Sequence, residues 1–399
     1  MTGIALVVAF VIAIAAMIVM ISKFKIHPFI SIMLVSLVFG LVAGIPLVNR
    51  TLEDGTTVSG IASVIGAGFS GTFTSIGIVI ILGALVGSIL EATGGAFKLA
   101  DMVLSLVGKK HPEIAMELMG WIVSIPVFCD SGFVILNPIR KAIVQKTAAS
   151  SVMLTVCLSC GLYVSHVFIP PTPGPIAAAG SLGLENDLLL VMGLGVVCSI
   201  LPLLAGVVFA RFIGKRVKAE DEADASGNVA TYEEIKAQYG QLPGGFITLA
   251  PIVVPIVLMA LGSISSMAKW SGFGADLCTF FGTPMIALAM GVVFGVIQLA
   301  VTANLDKFHD LVQETLKTVG PILFITAAGG VLGKVIASTD MVNFIKEQAV
   351  TLEALGIFFP FLLAAILKTA QGSSTVAITT TAGILAPVMA TLGLDTPVA

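Results

Sequence analysis

EIAMELMGWIVSIPVFCDSGFVILNPIRK, residues 113–141, reads as two apolar arms around a polar break, FCDSG at 128–132, and it closes on the basic NPIRK at 137–141. The placement of charge decides how this stretch meets a bilayer. Loops on the cytoplasmic side carry an excess of Lys and Arg. With Lys23 and Lys25 inside, the loop at Arg50, Glu53 and Asp54 falls outside, and a span at 76–92 returns the chain inside to Lys98, Lys109 and Lys110. Arg140, Lys141 and Lys146 need that same side. A single crossing over 113–139 forbids it, whereas a re-entrant hairpin with its tip at Cys129 to Gly132 allows it.

The rest of the chain agrees with a bilayer as solvent. Of 399 residues, 57% are apolar and only 11% are charged, against about 25% charged in soluble proteins. A polar surface cannot be assembled from so few charges. The apolar residues come in runs of about 18 or more, as membrane-spanning helices require. Full spans are expected near 4–22, 28–48, 76–92, 148–168, 187–210, 246–264, 277–302 and 319–337. The first has no Lys or Arg before it and two Lys after it, which reads as a span rather than a cleaved signal peptide. A net charge of −3 and the lack of a basic tract exclude nucleic acid as a partner. Cys129, Cys157, Cys160, Cys198 and Cys278 all fall inside apolar segments and read as small packing residues.

The fold class expected is therefore an all-α polytopic membrane protein built of inverted-topology repeats with two re-entrant, broken-helix hairpins. Residues 1–213 form the first repeat, residues 214–245 a polar cytoplasmic linker, and residues 246–399 the second repeat. LGALVGSILEATG at 82–94 resembles AAGGVLGKVIASTD at 327–340, about 246 residues on. By charge placement the two segments run in opposite directions. A second interrupted stretch, 351–394, has its break at KTAQGSST, 368–375. One hairpin then dips in from the cytoplasm and the other from outside, bringing their tips together near the midplane. Inverted repeats with broken helices are a secondary-transporter signature. The repeat also expects a further span beginning near residue 390, where the chain ends at Ala399, so the second half is shorter or lacks its last span.

Charges and irregular backbone at membrane depth are functional candidates by default. Asp130 sits in the first break, as a proton or substrate site or as a cap for the following arm. In the second break, seven of the residues from Thr369 to Thr381 are Ser or Thr, joined by Gln371 and Gly372 and preceded by Lys368. Ser373, Ser374 and Thr375 can exchange hydrogen bonds with a hydroxylated solute, and Lys368 with the helix start after Gly372 favours a carboxylate. Thr326, Gly329 and Gly330 make a third weak spot, for close helix packing or for backbone exposed to a solute. His166 precedes the proline turn PPTPGP at 170–175 and could relay protons. Gly83/Gly87 and Gly291/Gly295 read as helix contacts. No paired acids, metal-ligand cluster or activated nucleophile is present, so the chain is not read as an enzyme and calls for no cofactor and no metal.

Taken together, FCDSGFVIL at 128–136, HVFIPPTPGP at 166–175, ITAAGG at 325–330 and KTAQGSSTVA at 368–377 resemble the gluconate permease (GntP) family of the ion-transporter superfamily. The resemblance covers nearly the whole chain. It implies a proton-coupled symporter of the bacterial inner membrane for gluconate or a related hydroxy acid, with Asp130, Ser131, Gly132, Gln371, Gly372, Ser373 and Thr375 in the binding and coupling region. The chain departs from the family pattern at Thr172, Lys368 and Ser374, where His, Arg and Ala are common. Those departures bear on which acid is carried. The partners expected are an anionic hydroxy acid, protons and the lipid bilayer, and a homo-oligomer is compatible with all of this. Sodium coupling, a hydroxy amino acid such as D-serine as solute, and a non-pumping channel or sensor are the alternatives.

Overall fold

The computed structural model describes residues 3–51, 57–107, 111–147, 149–219, 242–340, 358–371, 374–386 and 389. In hydrocarbon every backbone N–H and C=O must find its partner within the protein, and a helix achieves this locally. The apolar runs accordingly fold as helices: α1 Ile4–Ser22, α2 Pro28–Val42, α3 Ile61–Thr72, α4 Ile78–Ala92, α5 Gly95–Val107, α6 Pro112–Val123, α7 Cys129–Thr147 and α8 Ser151–Phe168. They are followed by α9 Pro173–Ser181, α10 Leu188–Gly214, α11 Gly245–Met267, α12 Phe273–Gly282, α13 Pro284–Val301, α14 Phe308–Ala337, α15 Phe358–Gln371 and α16 Ser374–Leu385. A π-helical turn, Phe73–Gly77, joins α3 to α4. Among the described residues seven helices are long and apolar enough to cross a membrane.

Several boundaries differ from expectation. The span near 76–92 extends back to Ile61, and the one near 319–337 extends back to Phe308. The stretch at 277–302 is two helices, because Pro284 starts α13 and Thr283 before it is extended, as a residue preceding proline prefers. Arg50–Thr51 and Thr57–Val58 form a small antiparallel ladder that the apolar pattern gave no sign of. The stretch at 113–139 holds two helices, α6 and α7, and the break between them lies at residues 124–128 rather than at 128–132. Pro126 explains the shift, since it lacks the N–H that would continue α6. Cys129, Asp130, Ser131 and Gly132 instead form the first turn of α7, where Gly132 N–H donates to Phe128 O at 2.8 Å. Most of the polar linker, residues 220–241, and both ends of the second interrupted stretch lie outside the described residues.

The chain forms two compact units. The first comprises residues 1–78, 174–185 and 318–399. Its core is Leu6, Phe10, Met17, Ile32, Phe39, Val331, Val335 and Leu367, with the Phe10 and Phe39 rings edge to face at 5.6 Å. The second comprises residues 79–173 and 186–317, around Phe97, Met116, Met119, Leu136, Leu158 and Leu162. Within it α10 turns Leu201 (75% exposed) and Val208 (68%) outward. A contiguous apolar face of this kind has lipid as its natural solvent.

Glycines set the closest approaches. In the second unit a side chain at Gly83 would lie 2.8 Å from Pro171 O, and one at Gly291 would lie 2.8 Å from Pro251 O. Gly87 meets Pro126 O and Gly295 meets Ile89, so both GxxxG pairs are packing positions. The tightest pair is α6 on α8, where Gly120 faces Leu158 O and Gly161 faces Glu117 O. Polar ties reinforce this unit: Gln298 Nε2 donates to Thr93 Oγ1 at 2.7 Å, and Thr315 Oγ1 to Ser88 Oγ at 2.9 Å. Gly161→Val should destabilise the protein by about 1–3 kcal/mol, since overpacked sites must shift backbone. Thermal unfolding in detergent measures this, and an unchanged midpoint would contradict the contact.

Candidate functional site

The first unit carries an open cavity of about 390 Å³ between α3, the π-helical turn, α9, α14 and α16. That is within the range of small-ligand sites, about 300–1,000 Å³. Space exists because the facing positions carry no side chain: Gly68, Gly71, Gly180, Gly330, Gly333 and Gly383 all line it. A Cβ at Gly330 would collide with the Thr72 hydroxyl, and one at Gly383 would lie 2.6 Å from Gly329 O.

The polar lining is Thr72, Ser75, Ser181 and Lys334. Each hydroxyl donates to its own helix: Thr72 Oγ1 to Gly68 O at 3.1 Å, Ser75 Oγ to Gly71 O at 2.7 Å, and Ser181 Oγ to Ala177 O at 2.9 Å. Their proton is thereby committed and their lone pairs remain to accept. Lys334 contributes the charge. It forms no ion pair among the described residues, and it also borders a second cavity of about 510 Å³ with Ser59, Ser63, Ser338 and Asp340. One cation beside several hydroxyl acceptors suits a small anion bearing its own hydroxyl groups. Ser75 lies in the π-helical turn, a distortion found often at functional sites.

Of the residues expected from the sequence, Gly330 lines this cavity. Thr326 is 1% exposed and donates to Ile322 O at 2.7 Å, while a Cβ on Gly329 would lie 3.3 Å from Thr379 O. Lys368 is half-buried in the last turn of α15, which Gln371 ends. Gly372 and Ser373 lie outside the described residues. Ser374 begins α16, and next to it a side chain at Gly174 would lie 3.6 Å from Thr375 Cα. Further along α16 the buried hydroxyls of Thr380 and Thr381 have no hydrogen-bond partner among the described residues.

In the second unit Asp130 and His166 are within Coulombic reach of each other. Asp130 is exposed in the first turn of α7, where the free N–H groups of the helix favour an anion. Cys129 Sγ donates weakly to its Oδ1 at 3.7 Å. His166 lies near the end of α8 with its ring 5.9 Å from that of Phe128, and its Nδ1 has no hydrogen-bond partner. Gly132 is buried, and a Cβ there would come within 2.6 Å of Leu162. Ser131 follows Asp130 in the same turn. Thr172 donates to His166 O at 2.9 Å and to Ile169 O at 2.7 Å, fixing the proline turn to the end of α8.

Thr72, Ser75, Ser181 and Lys334 were absent from the sequence-derived set of binding residues. The signal for the first two is GTFTSIG at 71–77, hydroxyls inside an otherwise apolar helix. Among the described residues no group of three or more His, Cys, Asp or Glu could hold a metal ion.

Among the described residues, seven helices long and apolar enough to cross a bilayer define a multi-pass membrane protein. The chain belongs to the GntP permease family, whose profile matches residues 5–398. It is similar to an uncharacterized permease of Haemophilus influenzae, 33% identical over 399 residues, covering 96% of this chain and 78% of that protein. The gluconate permease of Pseudomonas aeruginosa is 28% identical over 384 residues, covering 95% of this chain and 81% of the relative. Among solved structures MtrF of Neisseria gonorrhoeae, described with a class of antimetabolite efflux pumps, has the same fold, with TM-score 0.59 and 15% identity over 94% of this chain and 83% of that one. Family and spans make this a protein of the inner membrane.

Proposed function

We propose that this permease is a secondary active transporter that moves gluconate or a related small hydroxy acid together with protons. The observation that carries the reading is the cavity in the first unit, lined by Lys334, Thr72, Ser75 and Ser181; in the proposed binding mode Lys334 takes the carboxylate and the hydroxyls accept from the substrate. Lys368, Gln371, Gly372, Ser373, Ser374 and Thr375, the residues of the second sequence break, complete the proposed recognition of the acid. Ser131 and Gly132, in the first turn of α7, are further candidates for contact with the acid. Asp130 carries the proton, with His166 beside it. A relative in Pseudomonas aeruginosa named gluconate permease supports the substrate class. The two halves around the linker act as inverted repeats, 1–213 and 246–399.

The charge of the acid calls for a co-transported cation, read here as the proton. Bringing one negative charge into a cell that is negative inside costs about 2.3 kcal/mol per 100 mV. One proton cancels this cost, and a second lets the potential drive uptake. The test is uptake of radiolabelled gluconate, D-glycerate and D-serine by proteoliposomes under an inward proton gradient. Saturable accumulation of one acid, collapsed by a protonophore, is expected. Accumulation that follows a sodium gradient and ignores the proton gradient would overturn proton coupling.

A further inference from the structure

The second unit holds an acid that the proposed transport scheme does not use. Glu117, in the middle of α6, is 2% exposed, and its Oε1 has no hydrogen-bond partner among the described residues. The polar group beside it is the Cys160 thiol of α8, a weak donor, whose Sγ also lies 3.9 Å from Pro202 O. The room it occupies is left by Gly206 of α10, where a Cβ would collide with both Glu117 Oε1 and Cys160 Sγ.

The other titratable and charged groups around it are few. Glu113 lies one turn earlier on α6 and is held by Arg211 of α10 at 2.6 Å. His111, mostly exposed at the start of α6, has Nδ1 3.7 Å from the same Glu113 oxygen. Cys157 joins Cys160 on α8. On α5, Lys98 and Asp101 pair with each other at 3.3 Å, and on α7 Arg140 is engaged by Asn137 and Ser151. Among the described residues, the Arg211 guanidinium is thus committed to Glu113 and that of Arg140 to Asn137 and Ser151. An unpaired carboxylate buried in this way costs several kcal/mol, so the neutral acid is the form that fits this pocket. Residues four apart on a helix are neighbours, which makes Glu113 the next station toward the exposed His111.

We propose that Glu117 is a proton-holding residue of the transport cycle, loaded in this conformation and discharged through Glu113 toward the exposed end of α6. In that step the O–H bond of the Glu117 acid breaks and its electron pair stays on Glu117. The proton passes, directly or over one water, to the Glu113 carboxylate, and from there to His111 or bulk water. The new Glu117 carboxylate then needs Arg211 or water, so discharge requires α6 and α10 to rearrange. This inference rests on the proton-coupled reading above.

The experiment combines infrared spectroscopy and transport on the full chain. Purified wild type at neutral pH should show a protonated-carboxyl C=O absorption that is missing in Glu117→Gln. In proteoliposomes E117Q should lose proton-driven accumulation of the acid while keeping counterflow exchange. A purely structural neutral acid would instead be replaced by Gln without effect. Identical absorptions in wild type and E117Q, or undiminished accumulation by E117Q, would overturn the proposal. If E117Q is recovered misfolded, Glu117→Asp carries the test: the absorption should shift, and an unshifted band overturns the assignment. The infrared measurement needs no substrate. A wild type that shows the band yet moves no protons with any acid therefore counts against the coupled reading and not against the site.

Discussion

Replacing Lys334 by Met is expected to weaken acid binding about ten- to hundredfold, the loss of a charge-assisted hydrogen bond of about 1.5–3 kcal/mol. Met keeps much of the length and apolar bulk of the side chain, so packing around Gly68, whose absent Cβ would lie 2.9 Å from Lys334 Cβ, is retained. The charge alone is removed. Lys334 stands where two cavities meet, and no carboxylate among the described residues forms an ion pair with it. A substrate carboxylate would supply the missing partner. Isothermal titration of the purified variant with gluconate measures the loss. Lys368→Met is the necessary companion: a large loss there with unchanged affinity in Lys334→Met would move the carboxylate site to the second hairpin.

Replacing Asp130 by Asn should abolish uphill accumulation while sparing exchange of labelled for unlabelled substrate. Asn keeps the shape and can still accept hydrogen bonds, but it cannot exchange a proton. Asp130 is exposed at the start of α7, where it can meet water. Proteoliposomes loaded with unlabelled acid report exchange, and an imposed proton gradient reports accumulation. Unchanged accumulation would remove Asp130 from coupling. If both activities fell in parallel, Asp130 would be a binding residue.

Much of the helical framework was legible in the sequence because hydrocarbon leaves the backbone few choices. Apolar length alone placed α1, α8, α10 and α11 to within a few residues. The errors came where a local backbone rule competes with hydropathy. Pro126 ends α6 ahead of the polar FCDSG motif, and Pro284 splits a run that reads as continuous. The ladder at Arg50–Thr51 and Thr57–Val58 is too short to leave a pattern.

The site was less legible for a different reason. Charged and Gly-containing breaks drew the reading to Asp130 and Lys368, whereas the cavity is lined by hydroxyls on ordinary helical turns. A lone Ser or Thr in an apolar helix usually bonds to its own backbone, and Thr72, Ser75 and Ser181 do so here. What distinguishes them is the set of glycines opposite, contributed by segments far apart in the chain. Glu117 escaped notice because Glu113 and Glu117 look like the polar start of an arm. Only the fold shows that one is paired with Arg211 and the other is buried beside a thiol.

The central claim is that acid and proton move together. It is tested most directly by adding gluconate to proteoliposomes without any imposed gradient and following external pH with an impermeant dye. The account predicts alkalinisation outside, dependent on the acid, saturable and lost in Asp130→Asn. Substrate entry measured in the same vesicles with no proton movement would contradict it.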